Sequence, residues 1–176
     1  SDPIGKRNRA LVHLLYTAGL RRTECISLDR SDLDLDGRRV HVLGKGRFQK
    51  EWLPFGASAV KALNEWLAVH PDPQPDAPLF VRLDRAAEAS PQRLTADGLH
   101  HVLSTLGRRA GLKRSLWPHA IRHASISRLA EATGGDMPRI QKFSRHSRIE
   151  TVAKYVDAQR EAARDLADVL GSDLPG

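Results

Sequence analysis

The chain has 176 residues, with 28 Lys and Arg against 21 Asp and Glu and a net charge of +7, a length that suits one domain with its own hydrophobic core. Its single cysteine, Cys25, excludes an internal disulfide and a thiolate-rich zinc site. No apolar run reaches membrane-spanning length and the first residues lack the apolar stretch of a signal peptide, so a cytoplasmic protein with no membrane partner is expected.

Residues 5–18 place Leu11, Leu14, Leu15 and Ala18 at helical spacing, and Gly19 supplies a stop. A short helix from Arg21 to Leu28 turns Cys25 and Leu28 inward. Leu33 and Leu35 then alternate with aspartates, Asp36-Gly37 signals a hairpin turn, and Val40 and Val42 alternate on the returning strand. Gly44-Lys45-Gly46 makes a second turn before a third strand, which holds Trp52 and Leu53 and ends at Pro54. Helical spacing returns over 58–69 with Val60, Leu63, Trp66 and Leu67. Pro71, Pro73, Pro75 and Pro78 make the next stretch a connector, with a mobile loop expected at 86–90.

Thr95 is placed to cap a helix carrying Leu99, Val102, Leu103 and Leu106. Pro118 fits the first turn of another that reaches Ala132, where Gly134-Gly135 breaks it. Short helices are predicted over 136–144 and 149–156, then an amphipathic one over 160–170 with Leu166, Val169 and Leu170 on one side. The expected fold is mainly α with a small three-stranded antiparallel β-sheet near its beginning. Residues 1–170 are expected to form one domain, and 171–176 a short flexible tail.

The charge is uneven. Residues 105–160 hold twelve Lys and Arg against four Asp and Glu, an excess of eight, so the remainder of the chain sums to −1. A polyanion partner, most commonly a phosphate backbone, is one reading of this stripe; a solvated face is the other. Asp32-x-Asp34-x-Asp36-Gly37 resembles the first half of a calcium loop, but Leu43 stands where the bidentate glutamate belongs. His100-His101 has no third ligand at a helpful spacing and fits an exposed helix face. No metal or cofactor is expected.

His119-Ala-Ile-Arg122 puts two polar side chains on one helix face. Ser144-Arg145-His146-Ser147 is followed by Tyr155, nine residues after His146. Singly, these read as a capping histidine, a surface loop and a core tyrosine with its hydroxyl at the rim. Lys45 alone is a solvated hairpin tip. Together with Arg21, they supply a nucleophile, fixed cations and proton donors, which is the inventory that metal-free attack on a phosphodiester requires.

Gly19-Leu-Arg21-Arg-Thr-Glu24, then Gly-Lys45-Gly, His119-Ala-Ile-Arg122-His123, Ser-Arg-His146-Ser and finally Tyr155 resemble the catalytic domain of the tyrosine recombinases, or phage integrase family. The match runs from about Ala10 to Asp157. It implies site-specific cleavage and rejoining of double-stranded DNA through a 3′-phosphotyrosyl intermediate. The resemblance makes Arg21 and Arg122 a clamp on the nonbridging phosphate oxygens and has His119 receive the nucleophile's proton or bind the phosphate. It has His146 donate to a nonbridging oxygen, Lys45 protonate the leaving 5′ oxygen and Tyr155 attack. Glu24 and His123 would support the site. It also implies a homotetramer on paired DNA sites, a bacterial or phage origin with association to the nucleoid, and a separate N-terminal core-binding domain that this chain lacks. Two positions depart from the family pattern: Arg145 replaces a small glycine, and Arg22 replaces an apolar residue. The alternative reading is a DNA-binding module derived from such an enzyme and no longer catalytic.

Overall fold

A computed structural model describes residues 2–44, 46–84 and 91–157, and the chain divides between Arg122 and His123 into two compact units, each with its own apolar core. Lys45, the loop at 86–90 and the expected helix at 160–170 with its tail lie outside the described residues.

In the first unit, α1 spans Pro3–Thr17. It begins two residues before the leucine stripe predicts, because its first turn is set by a cap: the Asp2 carboxylate accepts from Ile4 N at 3.0 Å and Gly5 N at 3.1 Å, and Pro3 occupies the first helical position. Leu11, Leu14 and Leu15 are wholly buried. Gly19 turns the chain at a φ of 58°, a left-handed value that favours glycine. Helix α2 is only Arg22–Ile26, shorter than the expected 21–28. Arg21 is extended, with ψ 157°, and forms the N-cap, while Leu28 is buried from a segment beyond the helix.

The sheet has the expected antiparallel order β1 (Leu33–Asp34), β2 (Arg39–Leu43), β3 (Lys50–Pro54), with Val40 opposite Leu53 and His41 opposite Trp52. Val40 and Val42 face the core; on the outer face, the His41 and Trp52 rings stack 4.4 Å apart. Strand β1 stops before Leu35, contrary to the predicted alternation. The Asp34 carboxylate accepts from Gly37 N at 2.8 Å and from Arg39 Nε at 2.6 Å, which turns the chain early. These bonds hold the Asp34 carboxyl below its usual pKa, the Gly37 amide contributing most. Arg38, not Gly37, takes the left-handed conformation (φ 48°); Gly37 is needed for space, since a Cβ there would lie 2.5 Å from Asp34 Oδ2. With Asp34 so engaged and Asp32 bound to Lys50 and to the Asp29 amide, neither carboxylate follows the calcium-loop pattern.

Helix α3 (Ala57–Leu67) starts one residue earlier and ends two residues earlier than predicted. The proline-rich connector leads into a run that the sequence reading left unassigned: Leu79, Phe80 and Val81 are buried, and the Leu79 carbonyl accepts from Trp66 Nε1 at 2.8 Å. Leu79 N in turn donates to Leu28 O at 2.8 Å. Arg93 ties this region together by donating to the Ile26 and Leu28 carbonyls and pairing with Asp29. Thr95 caps α4 (Ala96–Arg109) through Gly98 N, as predicted, and His100 and His101 are exposed.

Helix α5 covers Pro118–Ala132, as expected. In the second unit, α6 is Met137–Ser144, capped by Asp136, and residues 149–157 are helical (α7). Ile126, Ala130, Ile140, Val152, Tyr155 and Val156 form its core. Among the described residues, no helix is long and apolar enough to cross a membrane, and no three His, Cys, Asp or Glu side chains converge to hold a metal.

Candidate active site

In the first unit the site is built on the turn between α1 and α2. Arg21 caps α2, and a helix that begins with Arg-Arg-Thr-Glu lets the glutamate at the third helical position reach back to the cap. Glu24 does so twice. One carboxylate oxygen accepts from Arg21 N at 2.8 Å, and the other accepts from the Arg21 guanidinium, also at 2.8 Å. Glu24 is 3% exposed and Cys25 behind it is wholly buried, so the carboxylate is a rigid anchor. The Arg21 side chain stays 30% exposed, held yet accessible. Arg22 points outward at the first position of α2, which explains why a charge is tolerated there. Burial pushes the Cys25 thiol far above its usual pKa, leaving an inert packing residue.

Arg122 meets the same turn from α5. It is 4% exposed, and its guanidinium donates to the carbonyl of Gly19, two residues before Arg21. His119 lies one helical turn earlier on an exposed stretch of α5. The structure therefore brings Arg21, Glu24 and Arg122 to one turn, with Gly19 as a participant that the sequence reading treated only as a helix stop. The signal was present in Gly-Leu-Arg: a left-handed turn leaves its carbonyl outside the helical bonding pattern and available to a side chain.

In the second unit, Tyr155 sits on α7 with Val152 and Val156 on the same buried face. Its residue is 9% exposed, so the bland expectation of a core ring holds. Two imidazoles lie near that ring. His123, on α5, lies 4.6 Å away between centroids at a tilt of 43°. His146 lies 6.3 Å away at 20°, close to parallel.

The loop carrying His146 is fixed by the end of α6. Arg145 adopts the left-handed conformation (φ 53°) and its N–H donates to Gln141 O at 2.7 Å, while Gln141 Nε2 donates to the His146 carbonyl at 3.2 Å. A glycine is favoured at such a helix end, so the left-handed backbone is strained with an arginine at this position. Gln141 was missed by sequence reasoning; its i+5 reach past a helix end has no periodic signature. Lys45, the remaining expected site residue, lies outside the described residues. The arrangement presents two anchored guanidinium groups in one unit, and a phenol with two imidazoles near its ring in the other.

The phage integrase family model matches residues 1–162. A tyrosine recombinase of Synechococcus elongatus is 38% identical over 173 residues, covering 95% of this chain and 53% of that protein. The tyrosine recombinase XerC of Bacillus subtilis is 33% identical over 171 residues, covering 94% of this chain and 54% of its own. Among solved structures, the XerA recombinase superposes with a TM-score of 0.73 at 26% identity, covering 91% of this chain and 58% of that one. A DNA-bound post-cleavage complex of the XerH recombinase shares the fold at a TM-score of 0.76 and 21% identity, covering 97% of this chain and 48% of that one. The chain spans about half the length of the curated relatives it matches. It belongs to the phage integrase family.

Proposed function

We propose that this chain is the catalytic part of a site-specific recombinase that cleaves and rejoins double-stranded DNA through a tyrosyl–phosphate ester. The observation that carries the reading is the packing of the Tyr155 ring near the rings of His123 and His146, in a chain of this family. A free phenol of pKa about 10 is almost wholly protonated near neutrality, so the attack needs a proton acceptor and fixed cations around the reacting atoms. The Tyr155 oxygen attacks phosphorus, with His119 accepting its proton or binding the phosphate. The bond from phosphorus to the 5′ oxygen breaks, and Lys45 protonates that oxygen. Arg21, Arg122 and His146 hold the extra charge on the nonbridging oxygens, a role suited to guanidinium forks already fixed by Glu24 and by the Gly19 carbonyl. A 5′ hydroxyl from another strand reverses the step, so the ester conserves bond energy and no nucleotide cofactor is consumed. Residues 1–170 act as one catalytic domain in this reading, and four protomers assemble on paired sites in the cytoplasm.

The roles are separable with a DNA substrate whose leaving 5′ oxygen is replaced by sulfur, selected first from a randomised duplex pool for cleavage by the native protein. Lys45→Ala slows cleavage of the oxygen substrate strongly and recovers on the sulfur substrate, because a thiolate leaves without a proton. Arg122→Ala recovers little, having lost charge stabilisation. Equal recovery of both variants contradicts the assignment.

A further inference from the structure

We infer that His123 is a positioning residue for Tyr155: its ring forms a wall that selects the attacking orientation of the phenol. The inference rests on the reading of Tyr155 as nucleophile and extends it to a side chain outside the six reacting positions.

The two rings belong to the same compact unit and lie 4.6 Å apart, within the range of direct ring packing, at a 43° tilt. Their exposure is opposite in kind. Tyr155 is in the core, whereas His123 is exposed. A ring of an exposed residue packed this close to a buried one restricts it without being needed to exclude water. The His146 ring, 6.3 Å away at 20°, is the more distant of the two. Next to the tyrosine, at Val156, the chain is also closely fitted. Gly135 has a φ of 82°, and a Cβ there would come within 3.0 Å of Val156 Cγ1, so the backbone of the turn after α5 abuts the residue next to Tyr155. The residue next to the tyrosine is thereby held against this turn, and the tyrosine ring is bounded by His123.

The chemistry makes such a wall consequential. A tyrosine oxygen stands at the end of two soft torsions, and in-line attack needs the oxygen near its reacting distance with the correct direction of approach. A misplacement of about 1 Å costs on the order of 100-fold in rate. A flat neighbour restricts the ring through shape alone, so the function of His123 requires its ring and not its nitrogens. This separates it from His119 and His146, whose proposed roles need a proton or a donor.

The test uses the native chain and a suicide duplex nicked beside the cleavage site, with the rate of covalent adduct formation as readout. His123→Ala slows the adduct about 10- to 100-fold, with DNA affinity unchanged, and His123→Phe recovers most of that loss. A companion measurement removes the nucleophile. In a Tyr155→Ala background, hydrogen peroxide supplies the attacking oxygen, which bonds to phosphorus as the 5′ oxygen leaves with a proton. There His123→Ala leaves the peroxide-driven rate unaltered, because no phenol remains to be aimed. The inference is overturned if His123→Phe is as slow as His123→Ala, which makes the imidazole a chemical participant. It is equally overturned if His123→Ala slows the peroxide reaction, which assigns the ring to the phosphate or to the fold. Adduct formation by Tyr155→Phe is a different failure, that of the nucleophile itself.

Discussion

Arg145 shows how a single residue records two demands. Its left-handed backbone ends α6 and sets the course of the loop into His146, yet the conformation costs an ordinary side chain about 1 kcal/mol relative to glycine. Arg145→Gly should therefore raise the unfolding free energy by about 1 kcal/mol in urea titration; no gain would mean that contacts of the guanidinium outweigh the backbone strain. The resemblance leads one to expect a glycine at this position, but the physical reason to favour one is a dihedral angle that only the folded chain displays. His70 is a second local case. Its ring packs edge-on against Trp66 and lies between the Asp72 and Pro78 carbonyls, with Nδ1 accepting from Asp72 N at 3.1 Å. Burial pushes its pKa below the ordinary 6.5, outweighing the carbonyls that pull it up. The unfolded chain then takes up a proton first as pH falls, so the folded state loses stability from pH 6.5 down to the folded pKa and no further below it. Unfolding at pH 7.5 and 5.5 should show a smaller loss in His70→Gln than in the native chain. An equal loss would place the titration elsewhere.

At the scale of elements, the helices with strong apolar periodicity were legible to within a few residues, because burying a stripe every 3.6 residues leaves a direct mark on the sequence. Their ends were less so. Helix α1 starts at Pro3 through the Asp2 cap and α2 stops at Ile26 because Leu28 joins the core from an extended segment, and neither event belongs to the stripe. The largest omission was the buried run Leu79–Val81. Its partners are Trp66, Leu28 and Leu94, all distant along the chain, so its surroundings have no local periodicity. Phe80 is 1% exposed in the first unit's core, and Phe80→Ala should cost about 3–5 kcal/mol in urea unfolding monitored by tryptophan fluorescence, Trp66 being its reporter. A cost below about 1 kcal/mol would show that this segment is peripheral to the core.

On the scale of the whole chain, the order Arg21, Lys45, His119, Arg122, His146, Tyr155 carried the functional reading, while composition and charge only made a polyanion plausible. Spacing revealed which residue types occur together; it could not reveal that Glu24 grips Arg21 by both backbone and guanidinium, or that His123 faces Tyr155. Those arrangements arise from turns and ring packing, which leave one residue each in the sequence. The basic stretch over 105–160 is consistent with a phosphate-rich partner, and binding by such a stretch weakens steeply with salt. The central claim is that Tyr155 oxygen becomes bonded to a DNA 3′ phosphate, and peptide mapping of the trapped complex tests it most directly. After reaction with a nicked suicide duplex, the protein is denatured and digested, and the DNA is trimmed by nuclease. The account predicts one nucleotide-bearing peptide, containing Tyr155, joined through a 3′ phosphate, and none from Tyr155→Phe. A 5′ linkage, attachment at Tyr16 or any serine, or cleavage with no covalent complex would contradict it.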